Sequence, residues 1–329
     1  MRHRSRRQAL LATVALGASV LAVGCGSSGG SGGGDNVKLT QGGNLKFAVV
    51  THGDAGQFWS VFKKGAEQAG QAVGAKISYT ESNNDPQKQA QMIDAAVTQK
   101  VDGIVVTAPN PEAIKDSLAK AKAAGIPYIT SNSGSDQSKA LGAITHVGQD
   151  ETIAGEAAGK RIKSEGGTKV LCIIHEQGNV GLNQRCDGVK KGFGGTVTNL
   201  QVKGTGDLST TEAEIKSKLQ ADKSYDWIVT LNNDIAATAV QSRKESNSKA
   251  KQATFDLSGD VVKAIQAGDI AFAVDQQQYL QGYLPVVFLA LYKNNANTVG
   301  GGYPVLTGPG MVDKTNADTV AKLAEAGTR

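Results

Sequence analysis

From Leu45 onward the chain alternates two kinds of apolar pattern. Short runs such as "LKFAVV", "AKISYT", "VDGIVVTAP" and "IPYITS" predict strands, and between them apolar positions recur at helical spacing over 57–73, 86–99 and 111–124. Two of these helix starts are marked by chemistry: Asp85-Pro86 and Asn110-Pro111 each place a capping side chain before a first-turn proline. The pattern restarts at "LGAITHVGQDE", which leads into a helix over 151–164. "TKVLCIIHE", "LQVKGTG", "DWIVTLNND" and "QATFDLS" predict further strands, each followed by a helical stretch. "DIAFAVDQQ" predicts another, ahead of a long apolar helix over 279–293. From "GGGYPVLTGPG" the chain reads as turn-rich, ending in a short helix. Strand–helix alternation implies right-handed crossovers and parallel sheets. Two such runs of similar size, without sequence repeat, fit two Rossmann-like lobes better than one continuous sheet.

The N-terminus obeys different rules. "MRHRSRRQALLATVALGASVLAVGC" has a basic start, an apolar run over 9–23 and small residues before a cysteine, the pattern of an export signal. Its apolar run is too short and too near the end for a good spanning helix. "LAVGC" resembles a bacterial lipobox, with residues 1–24 removed and Cys25 lipidated; Ala22 stands where Leu is more usual. The Gly/Ser-rich stretch over 25–44 is a tether that cannot bury a core. The expected location is the outer face of a bacterial cytoplasmic membrane, with membrane contact through the lipid anchor only. Two cysteines remain, Cys172 and Cys186. In an exported chain they invite a disulfide, the alternative being two buried thiols.

Charge and motif content remove several function classes. The formal charge of +5 owes much to Arg2, Arg4, Arg6 and Arg7; taking these four from 35 basic residues leaves 31 against 30 acidic ones. A near-neutral mature chain gives no electrostatic case for nucleic acid. "THGDAG" lacks the glycine spacing of a dinucleotide loop. "GEAAGKR" is one residue short of a phosphate loop and sits inside a predicted helix. "HEQGN" carries Asn179 where a zinc protease needs its second histidine. With four histidines in all, and no Gly-x-Ser-x-Gly elbow, a general acid–base site is poorly supplied. The expectation is a protein that is not an enzyme, with no cofactor and no metal.

Ligands of open α/β folds sit beyond the carboxyl ends of the strands. Here those ends carry aromatics, amides, carboxylates and one arginine. Phe58 and Trp59 stand side by side at a helix start in a chain only 5% aromatic. Together with "GQFWSVFKKGAEQAG", "IPYITSNS", "HVGQDETIAGEAAG", "NVGLNQRCDGVKKGF", "IVTLNNDIAATA" and "ATFDLSGD", these features resemble the type I periplasmic sugar-binding proteins over nearly all of residues 45–305. The ribose-binding branch is the most similar. The resemblance implies two lobes joined by a three-stranded hinge near 149–150, 276–277 and 303–306. The N-terminal lobe would comprise 45–149 with 277–305, and the C-terminal lobe 150–276 with 306–329.

The resemblance also implies a ligand set. Phe58 and Trp59 match rings that stack on a sugar, Arg185 an arginine that bonds its hydroxyls, and Asn233 a ligand amide. Phe255 and Asp256 match an aromatic–carboxylate pair, and Gln276 a glutamine at a crossover. The polar position of the first loop falls on Thr51 or His52. Asn132 and Ser133 replace an Asp-Arg pair of the ribose branch, and Leu208 replaces an aromatic. His175 and Glu176 reach the pocket or line its rim. These departures turn the expectation from ribose toward another neutral monosaccharide, a cyclitol or a sugar alcohol. The implied function is that of a monomeric solute-binding lipoprotein of an ABC importer, delivering ligand to a permease driven by an ATPase. The alternative is an extracytoplasmic sensor that presents a small polyhydroxy ligand to a membrane receptor.

Overall fold

The computed structural model describes residues 44–329, so the export signal, Cys25 and nearly all of the tether lie outside the described residues. The first run is β1 (Lys46–Thr51), α1 (Gln57–Val73), β2 (Lys76–Glu81), α2 (Pro86–Thr98), β3 (Gly103–Thr107), α3 (Pro111–Ala123), β4 (Tyr128–Ser131), α4 (Ser138–Leu141) and β5 (His146–Gly148). The second is α5 (Glu151–Ser164), β6 (Lys169–Ile174), α6 (Val180–Phe193), β7 (Thr196–Gln201), α7 (Leu208–Ala221), β8 (Trp227–Thr230), α8 (Asn233–Glu245), β9 (Lys251–Phe255), α9 (Gly259–Ala267) and β10 (Phe272–Asp275). α10 (Gln278–Asn295), β11 (Val305–Leu306), β12 (Gly310–Asp313) and α11 (Ala317–Glu325) complete the chain.

These strands form two six-stranded sheets of matching order, β2-β1-β3-β4-β5-β11 and β7-β6-β8-β9-β10-β12. All pairings are parallel except β10 with β12. The central strand β3 is buried along its whole length, as a parallel strand covered on both faces must be, whereas the edge strands β2 and β7 are partly exposed. The expected helix starts hold: the Asp85 carboxylate accepts from the Gln87 and Lys88 N–H groups, and the Asn110 side chain accepts from that of Ala113. Asp150, Asn179, Asn232 and Ser258 cap α5, α6, α8 and α9 in the same way.

The chain passes between the sheets at 149–150, at 276–277 and at 307–309. The third passage falls just beyond the expected 303–306, because Leu306 still pairs with Gly148 in the first sheet. β11 and β12 come from the segment read as turn-rich. Strands of two and four residues between glycines and prolines carry too little alternation to be read from sequence.

α5 and α6 lie backbone to backbone. A methyl group at Gly155 would meet the Arg185 carbonyl, one at Gly159 that of Val189, and one at Gly192 that of Glu156. The glycines of "GEAAGKR" are thus a helix contact, and that contact sets the distance between Glu151 on α5 and Arg185 on α6. Gly188→Ala is expected to cost about 1–3 kcal/mol, since the clash is with the Thr152 carbonyl rather than with a side chain that can turn away. Urea unfolding checks this. An unchanged midpoint would mean that the helices can part freely.

Candidate functional site

The carboxyl ends of both sheets face one small cavity that opens to solvent. The first sheet contributes His52 after β1, Phe58 and Trp59 from the first turn of α1, and Asn132 and Ser133 after β4. The second contributes His175, Glu176 and Asn179 after β6, Leu182 and Arg185 from α6, Leu231 and Asn232 after β8, and Asp256 after β9. Gln276, at a passage between the sheets, closes one side.

Most of the expected residues therefore meet in one place, and three do not. Thr51 ends β1 fully buried, where its hydroxyl accepts the Gly53 N–H at 3.2 Å; the residue on the cavity wall is His52. Phe255 is fully buried beneath Arg185, its ring centroid 4.8 Å from the guanidinium carbon, so it supports the arginine instead of facing the cavity. The next residue, Asp256, takes φ +71°, and this left-handed step turns the chain at the strand end. Asn233 is buried with both amide atoms unpartnered, while its neighbours Leu231 and Asn232 form the wall. Leu208 is exposed at the start of α7 and takes no part. His175 and Glu176, left open between pocket and rim, are on the wall. Asn179, Leu182, Leu231 and Asn232 were missed. Asn179 and Asn232 are helix caps, and nothing in an N-cap signal says which way the residue's surroundings open.

The two rings stand edge to face, centroids 5.0 Å apart and planes at 75°. Trp59 also meets the His52 ring at 4.7 Å and Phe62 at 5.6 Å. Gly53 leaves the room this requires, because a Cβ there would come within 2.8 Å of the indole. Both rings belong at once to the core of the first sheet and to the cavity wall.

Arg185 is buried, with three of its five N–H groups engaged. Its Nε donates to Glu151 Oε2 at 2.6 Å, Nη2 to Glu151 Oε1 at 3.0 Å, and Nη1 to the Leu231 carbonyl at 2.8 Å. Gln149 donates to the same carboxylate at 2.8 Å. The charge is thus held by a fork-to-fork pair from the neighbouring helix. Burial pushes the Asp256 carboxyl up to about 7, against the pull of Arg185 and of the Gln276 amide that donates to it at 2.6 Å. Burial lowers His52 to about 3 and His175 to about 4, so both imidazoles are neutral at pH 7. The Thr107 hydroxyl oxygen accepts the His52 backbone N–H at 2.9 Å and the Gln89 amide at 3.2 Å. Its own proton is then free for His52 Nδ1 at 2.8 Å, which leaves the His52 N–H at Nε2, aimed at Glu176 Oε2 3.6 Å away. His175 Nδ1 is buried and unpartnered.

An amide network spans the passages. Asn132 Nδ2 donates to Gln281 Oε1 at 3.1 Å, while Gln281 Nε2 donates to Gln276 Oε1 at 2.9 Å and to Thr307 Oγ1 at 3.1 Å. Cys172 and Cys186 are joined by a disulfide that ties β6 to α6. Among the described residues no group of histidine, cysteine or acidic side chains is placed to hold a metal ion, and no helix is long and apolar enough to cross a membrane.

The wall thus combines aromatic surface with neutral donors and acceptors, one guanidinium and carboxylates, on all sides of a small space. Such a lining suits a compact, uncharged molecule with a C–H face and many hydroxyls. Residues 47–296 match the family described as periplasmic binding protein domain. The chain is 26% identical to the ribose import binding protein RbsB of Haemophilus influenzae, over 70% of this chain and 79% of that protein. It is 23% identical to a xylitol-binding protein of Mycolicibacterium smegmatis, over 82% and 75%. A crystal structure of a carbohydrate transporter from Acidothermus cellulolyticus 11B, in complex with myo-inositol, superposes with a TM-score of 0.85 at 44% identity, covering 87% of this chain and all of that one.

Proposed function

The chain belongs to the periplasmic binding protein family, and from that premise we propose that it is the solute-binding component of an ABC-type importer. It captures a neutral monosaccharide, cyclitol or sugar alcohol, and among these we place cyclitols first, since a similar structure holds myo-inositol. The observation that carries the reading is the cavity itself: rings from one sheet and Arg185, Asp256 and amides from the other converge on one small space.

Ligand binds one half first and then bridges both, favouring the form closed about the three passages. The C–H face lies against Trp59 and Phe58, and hydroxyls take the polar groups. A hydroxyl turned the wrong way leaves a buried partner unmet at about 1–3 kcal/mol, and this selects between epimers. The closed form docks on a membrane permease coupled to an ATPase. The protein acts as an exported monomer, anchored through Cys25 to the outer face of the cytoplasmic membrane, and catalyses no reaction. A sensor would share the cavity; the names of the relatives, import and transporter proteins, favour the importer.

A thermal-shift panel of pentoses, hexoses, cyclitols, alditols, amino acids and divalent metals tests this. A ligand at 100 times its Kd adds about 2.7 kcal/mol to the folded form, a shift of several degrees. We expect myo-inositol or a related polyol to give the largest rise. Shifts from amino acids or metals, with none from any polyol or sugar, would sink the reading.

A further inference from the structure

α1 starts without a cap of its own. Its N-cap is Gly56, no side chain bonds its first turn from that position, and the first turn holds no acidic residue. Helices α2, α3, α5, α6, α7, α8 and α9 all have a side-chain cap. What stands at the open end of α1 comes from the other sheet's side. The carboxylate of Asp234, in the first turn of α8, is so near that a Cβ on Gly56 would lie 2.9 Å from its Oδ2. Burial raises its carboxyl, and the nearby Gln57 N–H counters part of that push. Beside it, Asp54 takes the Gly56 N–H at 3.1 Å with one oxygen and the Thr205 hydroxyl of the second half with the other. The exchange runs in both directions: the Val180 N–H, first in α6, donates to the Pro109 carbonyl of the first half at 3.0 Å.

These two helices carry cavity residues, Phe58 and Trp59 on α1 and Leu182 and Arg185 on α6. We propose that Asp234 is a positioning residue for ligand capture, capping α1 across the cleft only in the closed form, while Pro109 completes α6 in return. Each half then finishes a helix of the other, and affinity depends on a carboxylate that lies off the cavity wall. The inference rests on the reading of a clamp that closes over its ligand.

The test compares Asp234→Ala and Asp234→Asn with the parent protein, using calorimetry with myo-inositol, urea unfolding without ligand, and amide hydrogen exchange at Gln57 and Phe58. Asparagine caps about as well as aspartate, whereas losing a cap costs enough to change an equilibrium several-fold to thirtyfold. We expect Asp234→Ala to weaken binding about tenfold, Asp234→Asn to stay within about twofold of the parent, and both to keep the parent's urea midpoint. Exchange at Gln57 should quicken in the alanine variant alone. Parent-like binding by Asp234→Ala, an asparagine variant as weak as alanine, or a loss matched by a fall in the urea midpoint would each overturn the proposal. If the parent takes no myo-inositol, the ligand assignment fails, and the three proteins are compared with the sugar or alditol that gives the largest thermal shift: equal exchange rates at Gln57 with that ligand bound would overturn the cap.

Discussion

Arg185→Ala is expected to abolish ligand capture and, at the same time, to destabilise the protein by about 3–5 kcal/mol. The second effect is the less obvious one. A ligand-contacting arginine on a solvated wall could be removed with little harm to the fold, and the sequence alone suggests as much. In the structure the guanidinium is buried against Glu151, itself buried, with Phe255 beneath and the Leu231 carbonyl beside it. Removing the arginine leaves an uncompensated carboxylate in the interior, where breaking one half of an ion pair costs more than replacing the whole pair. Arg185→Met combined with Glu151→Gln should therefore recover much of the stability and none of the binding. Urea unfolding and calorimetry on these two variants and the parent separate the two roles. If Arg185→Ala unfolds like the parent, Glu151 is not held as described; if the double variant binds ligand, the arginine is not part of the site.

Acid should weaken the fold steeply between pH 6.5 and pH 5. All three histidines of the described residues are buried: His52 is lowered to about 3, and His146 and His175 to about 4, in each case chiefly by burial. A base whose folded pKa lies below its unfolded value takes up its proton on unfolding. Its contribution is full above pH 6.5 and falls as the pH drops toward the folded value. At pH 5 this is about 2 kcal/mol for each histidine. Asp256 works the other way: with its carboxyl raised to about 7, it favours the folded state most below about pH 4 and loses that contribution as the pH rises to 7. Asp234 and Asp275, also raised by burial, offset a further part near the acid end. The histidines together lose about 5 kcal/mol from pH 6.5 to pH 5 and Asp256 returns about 2, so the net loss is about 3 kcal/mol at most, and stability levels off near pH 7. Urea midpoints of the ligand-free protein at pH 5, 6.5 and 8 check the curve, and Asp256→Asn should steepen the loss toward pH 5, since it removes the offset. A level profile from pH 6.5 to 5 would mean that the histidines are not shielded from water.

Much of the architecture was readable because it rests on local rules. The Asp-Pro and Asn-Pro starts of α2 and α3 announce themselves, and strand–helix alternation leaves few topologies. The cavity was readable to the extent that its residues occupy strand ends, which is why His52, Trp59, Arg185 and Asp256 meet there. What could not be read depends on direction. Phe255 and Asp256 are adjacent, and only the left-handed turn at Asp256 decides that one is core and the other wall. The partner of Arg185, 34 positions away, is fixed by glycines that let α5 and α6 touch. Those glycines carry no label distinguishing a helix contact from a loop.

The bond between Cys172 and Cys186 has a consequence for where in the cell this molecule is competent. The ring it closes contains His175, Glu176, Asn179, Leu182 and Arg185, so one covalent tie girdles a large part of the second sheet's share of the wall. Closing a loop of this size contributes about 3 kcal/mol, and a reducing cytosol withholds it. A chain in a reducing compartment therefore lacks this brace, and its share of the cavity wall over 173–185 is held less tightly there.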